Sequence, residues 1–309
     1  MSRVRDLARR AAGGFWGKIA SKLVPGGPGI AVLLYHRVVP AVRDDLFSLE
    51  VGEENFREQM RWLRSRYPVL PLDRALEDLE SGTLPERHVV ALSFDDGYRD
   101  NLTRALPILK ELDLPATLFL STGYLGSGRP FWWDRLDRSE TPAAPPGARP
   151  EDDPYRRAKA LELRDRERWL EELGRPARPF SRDDLPLDSG EIPLLAGSFV
   201  LGGHGHDHVS LGLVPAELAC ADVEACARTL ERECGARPLL FAYPFGGPED
   251  LSPDAVDAVR RSGFTTAFTT VPGVVRRGAD PLRLPRIWVH DGPAGTLATA
   301  LLRTFWTVR

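Results

Sequence analysis

The chain has 309 residues, 42% of them hydrophobic and 28% charged, with a formal net charge of −3 and a pI near 6.1. That balance suits a soluble globular protein and offers no basic excess to neutralise phosphates, so a nucleic-acid partner is excluded. Cys220, Cys226 and Cys234 are odd in number and fall in one helix-like stretch, which argues against a disulfide framework. No apolar run approaches the roughly 18 residues that span a membrane.

In chain order, residues 1–23 set Val4, Leu7, Phe15, Trp16, Ile19 and Leu23 on one helical stripe, with Arg3, Arg5, Arg9, Arg10, Lys18 and Lys22 off it. This reads as a helix docked on the domain surface or as a basic helix lying on an anionic membrane. Gly13 and Gly14 weaken both helices. The stretch lacks the apolar core of a secretory signal, so the expected location is cytoplasmic, possible contact being with the inner membrane face. Residues 30–36, 69–70, 88–94, 116–120, 199–202, 239–242, 265–269 and 284–289 read as strands. Residues 53–66, 73–79, 101–112, 216–234, 253–261 and 297–306 read as helices, with a bend expected at Pro107. Residues 139–150 are rich in proline, alanine and glycine and read as a loop, and residues 151–174 as a solvated helix. The expected organisation is an N-terminal segment 1–28, a domain 29–292 with an insertion at about 139–190, and a C-terminal helix 293–309.

Strands alternating with helices predict parallel βα units, in a barrel or a doubly wound sheet. Such folds place their sites at the carboxyl ends of the strands. The polar residues that directly follow apolar runs are His36, Asp95-Asp96, His204 to His208, Tyr243 to Gly246 and His290-Asp291. Of six histidines, His204, His206 and His208 crowd into five positions, and a pair four apart can aim two imidazoles at one point. Two adjacent carboxylates at a buried strand end repel unless a cation or a shared proton stabilises them. Asp96 is therefore the candidate third ligand, with Asp95 left as a base.

At these residues the sequence resembles the polysaccharide deacetylases, the NodB-homology or carbohydrate esterase family 4 enzymes. The segment from Leu92 to Gly97 resembles the family's first motif, His204 to His208 its second and Phe241 to Gly246 its third. The resemblance implies an irregular (β/α)₇ barrel carrying an inserted helical and loop segment. It implies a divalent metal, usually Zn²⁺, on Asp96, His204 and His208, and Asp95 as the base that takes a proton from the metal's water. It also implies an oxyanion donor in the Phe245 backbone N–H and a histidine that protonates the departing amine. Two segments match the apolar strand before that histidine. The form Leu34-Tyr35-His36 is like that of circularly permuted members, which favours His36 over His290. Tyr243 and Trp132 are expected to line the substrate groove, and Asp207 to orient a ligand histidine.

The sequence also departs from the family. Gly205 stands where a serine or threonine helps hold the loop. Ala242 stands where an arginine orients the base, leaving Arg286 or Arg99 to supply that contact. The expected function is removal of N-acetyl groups from a surface-polysaccharide, lipid-linked or nucleotide-linked sugar. An O-acetyl esterase or amidase using the same site, and a decayed carbohydrate-binding protein, are the alternatives.

Overall fold

A computed structural model describes residues 28–42, 45, 47–139, 153–161, 163–174, 178–195 and 197–307. The helix expected over residues 1–23 lies outside them, as does most of the loop 139–150.

Strands β1 (Ile30–Tyr35) and β4 (Val89–Phe94) are buried at every position, in keeping with sequences that are apolar apart from Ser93 and the Tyr35 hydroxyl. The short β2 (Arg37–Val39) and β3 (Glu50–Gly52) pair only with each other. With β5 (Ala116–Leu120), β6 (Phe199–Gly203), β7 (Leu240–Ala242), β8 (Thr266–Pro272) and β9 (Leu284–Trp288), β1 and β4 close an all-parallel seven-stranded barrel in the order β1-β4-β5-β6-β7-β8-β9. Closure runs through Leu33 beside Ile287 and Leu34 beside Trp288.

Strand side chains alternate between two faces. On β1, Ile30 and Val32 meet Phe119, Ala242, Phe268 and Leu284 from other strands, inside the barrel. Ala31, Leu33 and Tyr35 point the other way. There they join Phe56, Met60 and Leu63 of α1 (Glu53–Arg66) and, from the last helix of the chain, Leu297, Leu301 and Phe305. Helix α2 (Leu72–Ser81) contributes Leu72, Ala75 and Leu79 to the barrel-interior cluster.

The helix expected over 101–112 is not uniform. Residues Asn101–Ala105 form a wide π turn, and α3 (Leu106–Glu111) continues from it. Pro107 has no N–H to donate back along the helix, so the ladder changes spacing at that point. Helix α4 (Trp132–Asp137) leads into the insertion, which contributes α5 (Pro154–Ala160) and α6 (Leu163–Glu172), and the short α7 (Ile192–Leu195) follows it. Helices α8 (Ala216–Cys234), α9 (Pro253–Arg261) and α10 (Ala294–Thr307) complete the chain.

Arg37 ties the insertion to the barrel. Its guanidinium reaches Asp100 at 2.9 Å and Asp184 at 2.8 Å, and Arg138 reaches the same Asp184 at 2.7 Å. Asp100 is fully buried. Removing Arg37 leaves that carboxylate unpaired, which typically costs about 3–5 kcal/mol. Arg37→Ala should lower the free energy of unfolding in urea by about that amount, against a surface replacement such as Arg74→Ala.

Candidate active site

Four strand ends converge. His36 follows β1, Asp95 and Asp96 follow β4, His204 follows β6, and the segment 243–250 follows β7. His36, Asp95, Asp96, His204, His208 and Phe245 line one cavity of about 380 Å³, together with Trp133, Tyr155, Lys159 and Trp288.

Asp96 Oδ1 lies 3.4 Å from His204 Nε2 and 3.3 Å from His208 Nε2. One ligand atom from each of the three residues lies within 4.8 Å of the others, and all three residues are buried. Asp96 Oδ1 nevertheless has no hydrogen bond of good geometry. The three groups face a common point rather than one another. His204 Nδ1 lies 2.8 Å from the Ala242 carbonyl oxygen, which can only accept. The ring proton therefore sits on Nδ1, leaving the Nε2 lone pair for a ligand. One carboxylate oxygen and two imidazole nitrogens, buried and unspent, fit a divalent cation of the zinc kind.

The charges are closely coupled. Burial pushes the Asp96 carboxyl up, but the two neighbouring imidazoles outweigh it and hold it far below its ordinary value. Burial pushes His208 down to about 4 and lowers His36, the latter against the pull of Asp96 and Asp95. His204 also feels burial, but Asp95 and Asp96 outweigh it and raise its pKa.

Asp95 is gripped by Arg286. Nη1 donates to Oδ1 and Nη2 to Oδ2, each at 2.7 Å, in a fully buried bidentate pair. Arg286 is fixed in turn by Nε donating to Thr269 O at 3.0 Å and Nη1 to Ser93 Oγ at 3.3 Å. Burial would raise the Asp95 pKa, but the Arg286 charge outweighs it and holds the group ionised. Arg99 is occupied with Asp188 and Glu191 instead. The arginine absent at Ala242 is thus supplied from β9.

The histidine loop has its own anchor. Gly205 adopts φ +74°, and a Cβ there would stand 2.8 Å from Asp222 Oδ2. Asp222, on α8, accepts the His206 N–H at 2.8 Å and the Asp207 N–H at 2.7 Å, holding the loop that lacks the family hydroxyl. Burial pushes Asp222 up to about 6, against those two N–H donors. An unfolded aspartate titrates near 3.9, so the folded chain binds the extra proton between those values. The stabilisation linked to that proton is fully present below about pH 4 and is lost as pH rises through about 6. Asp222→Asn has no such proton. The stability gap between wild type and this variant should therefore narrow by about 2–3 kcal/mol from pH 4 to pH 7, read by denaturant titration at each pH.

Backbone strain concentrates at the site. Asp96 (φ +73°), His208 (φ +50°) and Phe245 (φ +62°) are non-glycine residues in the left-handed region, and all three line the cavity. The Phe245 N–H has no hydrogen-bond partner among the described residues, while its carbonyl accepts from Thr270 Oγ1 at 2.8 Å. His36 packs its ring on Trp288 with centroids 5.0 Å apart, and its buried Nδ1 has no partner.

Four expected residues fall elsewhere. Trp132 is wholly buried and does not line the cavity. Its neighbour Trp133 does, with its ring 4.4 Å from His208. Adjacent helical residues point about 100° apart, so α4 can aim only one of the two at the site. Tyr243 is also buried, packed on Phe241 with its hydroxyl donating to Leu282 O at 3.1 Å, under α8 and α9 rather than at the cavity. Asp207 does not orient a ligand histidine, since the Ala242 carbonyl faces His204 Nδ1 and His208 Nδ1 has no hydrogen-bond partner among the described residues. His290 is exposed outside the cavity, its ring stacked beyond Trp288, so of the two matching histidines only His36 reaches the site.

A sequence profile of the polysaccharide deacetylases matches residues 83–149. YxkH of Bacillus subtilis (strain 168), which carries the polysaccharide deacetylase name, is 33% identical over 277 residues, covering 89% of this chain and 76% of its own length. A poly-beta-1,6-N-acetyl-D-glucosamine N-deacetylase of Staphylococcus epidermidis is 24% identical over 254 residues, covering 82% of this chain and 72% of that protein. The structure of IcaB from Ammonifex degensii superposes with a TM-score of 0.60 at 22% identity, over 90% of this chain and 98% of that one. The Streptococcus pyogenes deacetylase PplD, solved with acetate, superposes with a TM-score of 0.60 at 19% identity, over 91% and 99%. These two likenesses bear on the barrel fold, and the sequence relatives carry the kinship. The chain belongs to the polysaccharide deacetylase family and is a hydrolase of the deacetylase class.

Proposed function

We propose that this protein is a divalent-metal-dependent de-N-acetylase acting on N-acetylhexosamine units of a glycan. The observation that carries the reading is the buried Asp96–His204–His208 set beside an Asp95 held ionised by Arg286. Asp96, His204 and His208 would hold the cation. When bound, it would supply Lewis acidity toward the acetyl carbonyl and lower the pKa of an attacking water.

The chain's own residues do the rest. Asp95 accepts the proton of the attacking water, with Arg286 keeping its carboxylate oriented and ionised. The unpartnered Phe245 N–H donates to the oxygen of the tetrahedral intermediate, in a position fixed by the strained turn and by Thr270. His36 delivers a proton to the departing amine. Trp133, Phe245 and Trp288 wall the cavity with aromatic faces.

The relative named for poly-beta-1,6-N-acetyl-D-glucosamine makes β-1,6-linked N-acetylglucosamine oligomers the first substrate to test. The purified protein with zinc, cobalt or nickel should release acetate from them. Release from O-acetylated esters alone would assign the same site to an esterase. No release from any acetylated sugar would end the de-N-acetylase reading.

A further inference from the structure

Helix α5 belongs to the insertion, yet it faces the cavity. Tyr155 and Lys159 stand one turn apart on it, and both line the cavity. The Lys159 side chain is only 11% exposed. Its ammonium lies 2.7 Å from Asp250 Oδ1, 3.4 Å from Glu249 Oε1 and 4.5 Å from the centroid of the Phe245 ring. Asp250 is itself fixed, accepting from the Gly247 N–H at 2.9 Å and from Ser210 Oγ. The lysine is therefore pinned over the ring of Phe245, a residue that also lines the cavity.

An ammonium has three N–H donors. Asp250 and Glu249 take two, and among the described residues no third acceptor is found. Asp250 and Glu249, the latter also under the charge of Arg156, offset the ammonium's charge and leave no surplus positive charge at this corner. Such a corner offers an anionic group no net attraction and suits a neutral oxygen. Because the side chain is already held, little rotamer freedom is lost when it binds.

We propose that Lys159 is a specificity-determining residue of this site, donating its third N–H to a neutral hydroxyl or carbonyl oxygen of the bound sugar and disfavouring uronate or phosphate-bearing units. The identity of the ligand rests on the de-N-acetylase reading. The insertion then sets what the barrel accepts, while the strand ends carry the chemistry.

The probe is a β-1,6-linked N-acetylglucosamine tetramer. Its KM and kcat are measured in the metal-loaded enzyme, and its affinity by calorimetry in a His36→Ala background, where turnover is slow. Lys159→Ala should raise KM and weaken binding by about tenfold or more, the size of a charge-assisted hydrogen bond, with kcat changed less than about threefold. Lys159→Arg should recover most of the affinity. Lys159→Met, which keeps the apolar stem but has no N–H to donate, serves if the alanine variant does not fold. A uronate-bearing tetramer should bind wild type more weakly than the neutral one. Unchanged affinity in Lys159→Ala or Lys159→Met would overturn the assignment, as would failure of wild type to bind the neutral tetramer. Lys159-dependent binding without acetate release would leave it standing and count against the de-N-acetylase reading instead.

Discussion

Replacing Arg286 by methionine should cut kcat/KM by about 10²–10⁴-fold and destabilise the fold by about 3–5 kcal/mol. Both effects come from one contact. Asp95 is almost wholly buried and keeps its charge because Arg286 meets both its oxygens at 2.7 Å. Without that cation, burial becomes the dominant influence on Asp95 and raises its pKa. A base that holds its own proton cannot take one from water. The remaining activity should therefore rise with pH, its acid limb displaced upward from that of wild type. Arg286→Lys keeps the charge but not the planar fork, so it should restore stability more fully than rate. A methionine variant with wild-type rate would remove Asp95 from the base role.

His36→Ala should lower kcat by about 10²–10⁴-fold while leaving the metal content intact. His36 lines the cavity but is not one of the three grouped ligands. Its loss should thus be felt in proton delivery rather than in cation binding. Substrates with a leaving group that needs no protonation, such as an aryl acetate, should be cleaved by the variant far closer to the wild-type rate. The amide and the aryl ester suffering alike would point to a structural role. The same replacement at exposed His290 should change neither.

Much of the fold was legible because each barrel strand carries its own signal. Runs such as Val89–Phe94 are apolar but for Ser93 and are followed at once by polar residues. Parallel strands buried on both faces write that pattern directly. Asp95, Asp96, His204 and His208 stood out because charged and metal-ligating side chains there have no structural reason to exist. The short β2 and β3 were invisible, since three residues give no period to read.

Residues that act from the flank were harder. Arg286 sits inside an ordinary strand, and only the closure of β9 against β1 brings it across to Asp95. Spacing left Arg99 equally eligible, and what excludes Arg99 is its pairing with Asp188 and Glu191 in the insertion. Asp222 looked like one more polar position on α8. Its burial was the available clue, since an aspartate on the apolar face of a helix needs partners, here the N–H groups of His206 and Asp207. Trp132 and Tyr243 were misplaced for a simpler reason. A motif gives the neighbourhood of a site, whereas a single residue step on a helix or strand turns a side chain to another face.

The most direct test of the central claim is the metal content of the purified protein by elemental analysis, beside His204→Ala and Asp96→Ala, with acetate release measured on the same samples. Near-stoichiometric divalent metal in wild type, lost together with acetate release in both variants, is the expected result. No metal in wild type after reconstitution, or variants that keep both metal and activity, would contradict it.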